Sequence, residues 1–396
     1  MVKPIGSKCN LNCEYCYYLD KSKMYGLARG RGHLMSDDTL RTFIREYINF
    51  HDNDVLTFSW QGGEPTLTGI DFFKKVISYQ KEYANGKLIS NTLQTNGFNL
   101  SLDWLDFFKR HNFLLGISID GPAHIHDKHR RHLNSKSTHS SVMSTIEDVK
   151  KFEIEFNTLS VISDYSSQYP LEVYSFLKNI GSKYMQFIPL VERYDSATSP
   201  SHWKKKDNDI NVTSWSVSSK EYGNFISEIF LKWCTTDIGD VFIPLFESFI
   251  GNYLDVKNTN CFFSKSCCNT FAMESNGDIY QCDHNVDSSH LLGNIHYTSL
   301  DSIVHSQSNI TFGANKLDLL SEKCTNCKFL KYCNGGCLKH RFKNNENYLC
   351  DGYQYFFTNV LKKMEIIASC IKAGKSVDDV KLIMKCGGLP SYRYTI

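Results

Sequence analysis

A chain of 396 residues with 41% hydrophobic content is long enough for a large domain plus a smaller one. Its formal net charge is only +2, which gives no electrostatic case for a nucleic-acid partner or an anionic membrane. With no apolar run of signal-peptide or membrane-span type, a cytoplasmic protein without a membrane partner is expected.

In chain order, the first feature is a short N-terminal strand followed by Cys9-Asn-Leu-Asn-Cys13-Glu-Tyr-Cys16. The chain holds 15 cysteines: three in the first 16 residues, none from 17 to 233, and twelve from 234 to 386. A disulfide framework is not expected in a reducing cytoplasm, and two dense groups point to metal ligands instead. Three close thiolates hold three irons of a [4Fe–4S] cube and leave the fourth open to a ligand. A zinc site completed by a distant His or Cys is the competing reading of this spacing.

Beyond the loop, a polar start at Ser36-Asp37-Asp38 leads into a helix ending near Phe50. VLTFSW (55–60) reads as a buried strand, and 69–84 has helical periodicity. Further strands are expected at 89–95, 113–119, 155–162 and 184–191, with helices around 101–110, 140–152 and 168–180. Strands about 30 residues apart with helices between them indicate βαβ units and a parallel sheet. Counting the N-terminal strand gives six units, either a partial barrel or an open sheet, with the site at the C-terminal strand ends.

Those ends are polar. The strand at 55–60 runs into Gln61-Gly62-Gly63-Glu64-Pro65, where two glycines permit close backbone approach and a carboxylate could accept from an ammonium group. Gln94-Thr95-Asn96-Gly97 and Ser118-Ile119-Asp120-Gly121-Pro122 end the next two strands. Each segment alone reads equally well as a turn.

Residues 194–217 are polar and read as an excursion outside the core, before a helix at about 219–235. From Cys261 to Cys350 short loops rich in Cys, Asn and Gly replace the regular alternation, as where metal sites stand in for a core. The tail, about 352–385, reads as helical. The spacing Cys324-x2-Cys327-x5-Cys333-x3-Cys337 is a metal signal, and it leaves structural zinc and iron–sulfur equally open.

The cysteine loop, followed by Gly62-Gly63-Glu64 at the next strand end, resembles the radical S-adenosylmethionine (SAM) superfamily. Cys261-x5-Cys267-x14-Cys282 with the compact set after it resembles the SPASM extension of that superfamily. Within it the chain is most similar to anaerobic sulfatase-maturating enzymes, over nearly its whole length but weakly in 194–217 and after about 355. The resemblance implies an α/β fold: a partial (β/α)6 TIM-like radical SAM barrel over 1–235, then a Cys-rich SPASM domain over 236–396 with a helical tail. It implies three [4Fe–4S] clusters: one on Cys9, Cys13 and Cys16 that binds SAM, and two auxiliary ones. Cys261, Cys267, Cys282 and Cys337 would hold one auxiliary cluster, and Cys324, Cys327, Cys333 and Cys350 the other. Tyr15, Gly62, Gly63, Glu64, Ser118, Arg130 and Val191 match positions that contact SAM. Arg131 beside Arg130 is the alternative at that position.

Asp283, directly after Cys282, matches the family's proposed general base; an Asp in a loop more commonly caps backbone amides. The implied reaction oxidises a Cys or Ser in a C/S-x-P-x-R type motif of an unfolded or nascent sulfatase to Cα-formylglycine. Hydrogen abstraction from the β-carbon is followed by proton transfer to Asp283 and electron exit through an auxiliary cluster. An electron donor such as flavodoxin or ferredoxin is implied. The alternative is a SPASM enzyme that installs crosslinks in a ribosomally made peptide; a zinc-stapled binding module is a more distant one. Cys268 adjoins Cys267 as a potential competing ligand, and Cys234, Cys370 and Cys386 read as buried structural thiols.

Overall fold

The structure, a computed structural model, describes residues 1–197, 199–206, 211–256, 260–267 and 270–386. The chain forms two compact units. The first comprises Met1–Ile119, Ala123–Asn157 and Ser266–Asn315; the second comprises Asp120–Pro122, Thr158–Lys265 and Lys316–Ile396.

In the first unit, strands β1 (Val55–Trp60), β2 (Leu88–Thr95) and β3 (Phe113–Ser118) pair in parallel. The register sets Trp60 beside Leu93 and Thr95 beside Ile117, so the polar strand ends fall at one end of the sheet. Helices α1 (Asp37–Phe50), α2 (Ile70–Tyr83) and α3 (Leu102–Arg110) alternate with these strands. Ser36 starts α1 by accepting from Thr39 N–H at 3.0 Å. Trp60, wholly buried, meets Phe43, Phe72 and Phe73 in edge-to-face contacts, which explains the continuous apolar reading of VLTFSW. Two further helices, α4 (Ala123–His129) and α5 (His139–Lys151), lead to the next strand.

The expected N-terminal strand is reduced to one position. Val2 forms a parallel bridge to Trp60, donating to Ser59 O at 2.8 Å and accepting from Gln61 N at 2.9 Å. Pro4 has no N–H to continue the ladder, and the chain turns at once through Gly6 (φ +56°). Val2 also bridges Met273. It thereby joins the sheet edge to a small antiparallel sheet of β6 (Ala272–Met273), β7 (Asp278–Tyr280) and β8 (Leu291–Asn294).

In the second unit, β4 (Phe156–Ile162, of which 158–162 lie here) pairs in parallel with β5 (Met185–Pro189), connected through α6 (Pro170–Asn179). Helix α7 (Ser219–Thr236) opens with a reciprocal Ser218–Glu221 capping box. It crosses the long helix Cys350–Lys372 where Gly223 meets Gly352: a Cβ on Gly223 would lie 2.5 Å from Gly352 O. Reading 194–217 as non-core material fails for 211–217. Val212, Thr213, Ser216 and Val217 are wholly buried, because Thr213 N and Val217 N bond back to Glu192 O and Leu190 O beyond β5. Such pairing satisfies backbone groups without needing an apolar sequence. Among the described residues no helix is long and apolar enough to cross a membrane.

Candidate functional site

The cysteine loop lies in the first unit and is held by its own backbone. Asn12 N and Glu14 N donate to Arg131 O and His129 O at 2.8 and 3.0 Å, tying the loop to the chain that leaves α4. Cys13 is buried, while Cys9 and Cys16 are half-buried. Leu11 N and Asn96 Nδ2 reach Cys9 Sγ at 3.4 and 3.6 Å. Burial pushes the Cys9 thiol well up, and the neighbouring Cys13, Glu64 and Cys16 add to the shift. Burial also raises the Cys16 thiol. Thiols bind soft metal as thiolates, so this donor set fits a cationic iron–sulfur group that displaces the protons and supplies positive charge.

Gly62 and Gly63 pack against the loop's backbone. Gly63 N donates to Gly6 O at 2.9 Å and Glu64 N to Lys8 O at 2.8 Å. A Cβ on Gly63 would sit 2.0 Å from Lys8 O. The close approach that these glycines permit is therefore to the chain itself.

Glu64 is wholly buried, and its carboxylate ties the ends of β1 and β2 together. Oε1 accepts from Thr66 N, Thr66 Oγ1 and Thr95 Oγ1 at 3.2, 2.8 and 2.9 Å; Oε2 accepts from Asn96 N at 2.7 Å. Burial raises its pKa, and these four bonds offset that rise only in part, so it stays above the usual carboxylate value. Most of its acceptor capacity is thus used inside the protein, which leaves Oε2 as the oxygen with room for a further donor. Glu64→Gln places an NH2 among donors, and a loss of about 2 kcal/mol is expected from a buried unsatisfied group, measured by thermal unfolding.

Tyr15 and Arg130, far apart in sequence, come together: the guanidinium carbon lies 5.6 Å from the Tyr15 ring centre. Arg130 is buried, whereas Arg131 is exposed and bonds Ser135 O. His129 completes this corner, with its ring edge-on to Tyr15 and Nδ1 3.0 Å from Glu14 Oε2. Nothing in the sequence singled out His129. Ser118 accepts from Gln94 Nε2 at 3.1 Å at the end of β3. Val191 is buried in the second unit, beyond β5.

Asp283, just beyond β7, belongs to the first unit. Its Oδ2 accepts from Tyr17 OH at 2.9 Å, and Tyr17 directly follows Cys16. Its Oδ1 pairs with the Lys3 ammonium. Burial alone would raise this carboxyl, but the Lys3 and His284 charges and the bonds from Lys3 and Tyr17 hold it well below the carboxylate range. The base candidate is thus an ionised, buried carboxylate, linked through Tyr17 to the cysteine loop.

Among the C-terminal cysteines, Cys324, Cys327, Cys333 and Cys350 line one cavity in the second unit, with Tyr353, Gln354 and Phe357. Gln354 Nε2 lies 3.8 Å from both Cys327 Sγ and Cys350 Sγ. Burial pushes the Cys333 and Cys350 thiols up to about 11. Four thiols around one cavity suit a four-thiolate cluster. Cys267 and Cys282 belong to the first unit, Cys261 and Cys337 to the second. Among the described residues no three His, Cys, Asp or Glu side chains converge closely enough for a single ion. Cys268 lies outside the described residues. Cys234 and Cys370 are buried, but Cys386 is exposed, because it follows the last turn of the terminal helix Val377–Lys385.

With this geometry in place, two family models match the chain: the radical SAM superfamily over residues 4–177 and the SPASM iron–sulfur cluster-binding domain over 261–328. The chain is 38% identical, over 98% of its length and 95% of the relative's, to a serine-type anaerobic sulfatase-maturating enzyme of Bacteroides thetaiotaomicron. It is 29% identical to the cysteine-type enzyme of Clostridium novyi, covering 94% of this chain and 97% of that one. A solved structure of native anSMEcpe with bound AdoMet and Cp18Cys peptide superposes with a TM-score of 0.81 at 30% identity, covering 93% of this chain and 98% of that one.

Proposed function

This chain belongs to the anaerobic sulfatase-maturating enzymes of the radical SAM superfamily, and from that premise we propose that Asp283 is the residue that takes the substrate's thiol or hydroxyl proton. The enzyme is an oxidoreductase that converts an active-site Cys or Ser of a sulfatase to Cα-formylglycine, with SAM and [4Fe–4S] clusters as cofactors. When bound, the cluster and SAM together supply hydrogen-atom abstraction from the substrate β-carbon.

The observation that carries the Asp283 assignment is its hydrogen bond from Tyr17, which fixes a buried carboxylate beside the loop of Cys9, Cys13 and Cys16. These three cysteines hold the SAM-binding cluster in this reading. Cys261, Cys267, Cys282 and Cys337 hold one auxiliary cluster, and Cys324, Cys327, Cys333 and Cys350 the other. Tyr15, Gly62, Gly63, Glu64, Ser118, Arg130 and Val191 form the SAM cradle, with Gly63 acting through the loop's backbone. Residues 1–235 constitute the radical SAM domain and 236–396 the SPASM domain. The substrate is an unfolded or nascent sulfatase, the electron donor is a flavodoxin or ferredoxin, and the setting is the cytoplasm, with no nucleic-acid or membrane partner.

The test is anaerobic reconstitution, then incubation with SAM, a reductant and peptides carrying C-x-P-x-R or S-x-P-x-R. Mass spectrometry should find 5′-deoxyadenosine together with an aldehyde-bearing peptide, and the peptide that reacts identifies the preferred residue. Deoxyadenosine with a crosslinked, aldehyde-free peptide would replace sulfatase maturation with peptide crosslinking.

A further inference from the structure

We infer that Lys3 is a positioning residue for the reaction, holding the Asp283 carboxylate in the orientation in which it accepts the substrate proton. The inference rests on the reading of Asp283 as the base. Lys3 is 1% exposed and among the largest fully buried side chains of the protein. Its backbone is pinned between the edge of β1 and β6: Val2, one residue earlier, bonds Ser59 O, and Lys3 N donates to Met273 O at 2.8 Å. Its ammonium pairs with Asp283 Oδ1 and lies 4.0 Å from the Tyr18 ring centre. Tyr18 OH in turn donates to Glu274 Oε1 at 2.6 Å, and Glu274 is itself wholly buried.

A buried ammonium is costly to desolvate, and an apolar side chain of similar volume often serves stability better than a buried ion pair. Packing alone therefore does not explain a lysine here. Its contacts give an explanation. Oδ1 of Asp283 is held by Lys3 and Oδ2 by Tyr17 OH, so two donors from opposite sides of the cysteine loop, at positions 3 and 17, fix the plane of one carboxylate. A carboxylate has about four lone-pair sites, so acceptor capacity remains for a substrate proton. Misplacing a reacting group by about 1 Å costs on the order of 100-fold in rate.

The experiment compares reconstituted wild type with Lys3→Met and Lys3→Arg. For Lys3→Met, peptide-independent 5′-deoxyadenosine formation and the peptide KM should stay within about threefold of wild type. Formylglycine kcat should fall about 100-fold, and Lys3→Arg should recover at least tenfold of that loss. The melting temperature should drop further in Lys3→Met than in the double variant Lys3→Met/Asp283→Asn, which leaves no unpaired buried carboxylate. Equal losses of deoxyadenosine and formylglycine, or an arginine variant no better than methionine, would reduce Lys3 to a structural role. If Lys3→Met does not fold, Lys3→Gln is read against the same outcomes. Asp283→Asn, assayed alongside, isolates the premise. Full activity there removes the base reading, whereas full activity of Lys3→Met beside an inactive Asp283→Asn removes only the present inference.

Discussion

Asp283→Asn is expected to lower formylglycine formation by about 10²–10⁴-fold, the range for loss of a positioned general base, while deoxyadenosine should still form when no peptide is present. The amide keeps the shape of the side chain and removes the oxygen able to take a proton. The two products should respond separately because the proposed site of SAM cleavage is the cysteine loop, to which Asp283 is linked through Tyr17. The variant also leaves the Lys3 ammonium buried without its carboxylate, which costs about 3–5 kcal/mol when one member of a buried pair is removed. Peptide-independent deoxyadenosine formation therefore serves as the control for folding. If it falls in step with formylglycine, Asp283 is an anchor for the Cys282 segment and another group takes the proton. Retention of both activities would remove Asp283 from the reaction.

The parts of this site that were legible in the sequence are those encoded locally. The Cys9–Cys16 spacing lies within one loop, and strands such as Val55–Trp60 show their burial as an apolar run. The observed bounds of β2, β3 and β4 fall within one residue of those expected from the sequence. What was not legible depends on pairing between distant segments. Val2 and Lys3 meet Met273 across about 270 residues, and that bridge, together with the Tyr17–Asp283 hydrogen bond, brings Asp283 to the cysteine loop. Neither Lys3 nor Glu274 has a sequence neighbour that marks it as part of a buried network. Glu64 illustrates the opposite difficulty. A carboxylate after two glycines reads as a ligand contact, yet four of its hydrogen bonds go to Thr66, Thr95 and Asn96. In the Cys-rich segment, chain proximity alone favours Cys337 as the companion of Cys324, Cys327 and Cys333; the family resemblance points to Cys350, and the cavity is lined by Cys350. Cys350 opens the long helix Cys350–Lys372, so its position is set by packing against α7.

Gly63→Ala is expected to remove the SAM-binding cluster while leaving the auxiliary cysteines intact. The added methyl carbon would stand 2.0 Å from Lys8 O and 2.5 Å from Lys8 C, and both are backbone atoms. A flexible side chain would swing aside, but here the peptide preceding Cys9 must move instead. It is also held by Glu64 N donating to Lys8 O at 2.8 Å, while Gly63 N is bound to Gly6 O at 2.9 Å. Relieving the clash breaks these bonds and displaces Cys9, the first proposed ligand of the loop, so the cost should go beyond the roughly 1–3 kcal/mol typical of an overpacked core. Gly62→Ala is milder by steric contact, with its Cβ 3.0 Å from Gly6 O, although a φ of +138° strains any residue other than glycine there. The measurement is iron content with deoxyadenosine formation. Gly63→Ala should lose roughly one third of the cluster iron, one [4Fe–4S] group of three, and all SAM cleavage. The auxiliary cluster proposed on Cys324, Cys327, Cys333 and Cys350 should persist in the absorption and paramagnetic resonance spectra, because those cysteines line a cavity in the second unit. Full iron with normal SAM cleavage would mean that the loop tolerates displacement of Lys8 and that Gly63 is not needed to seat it.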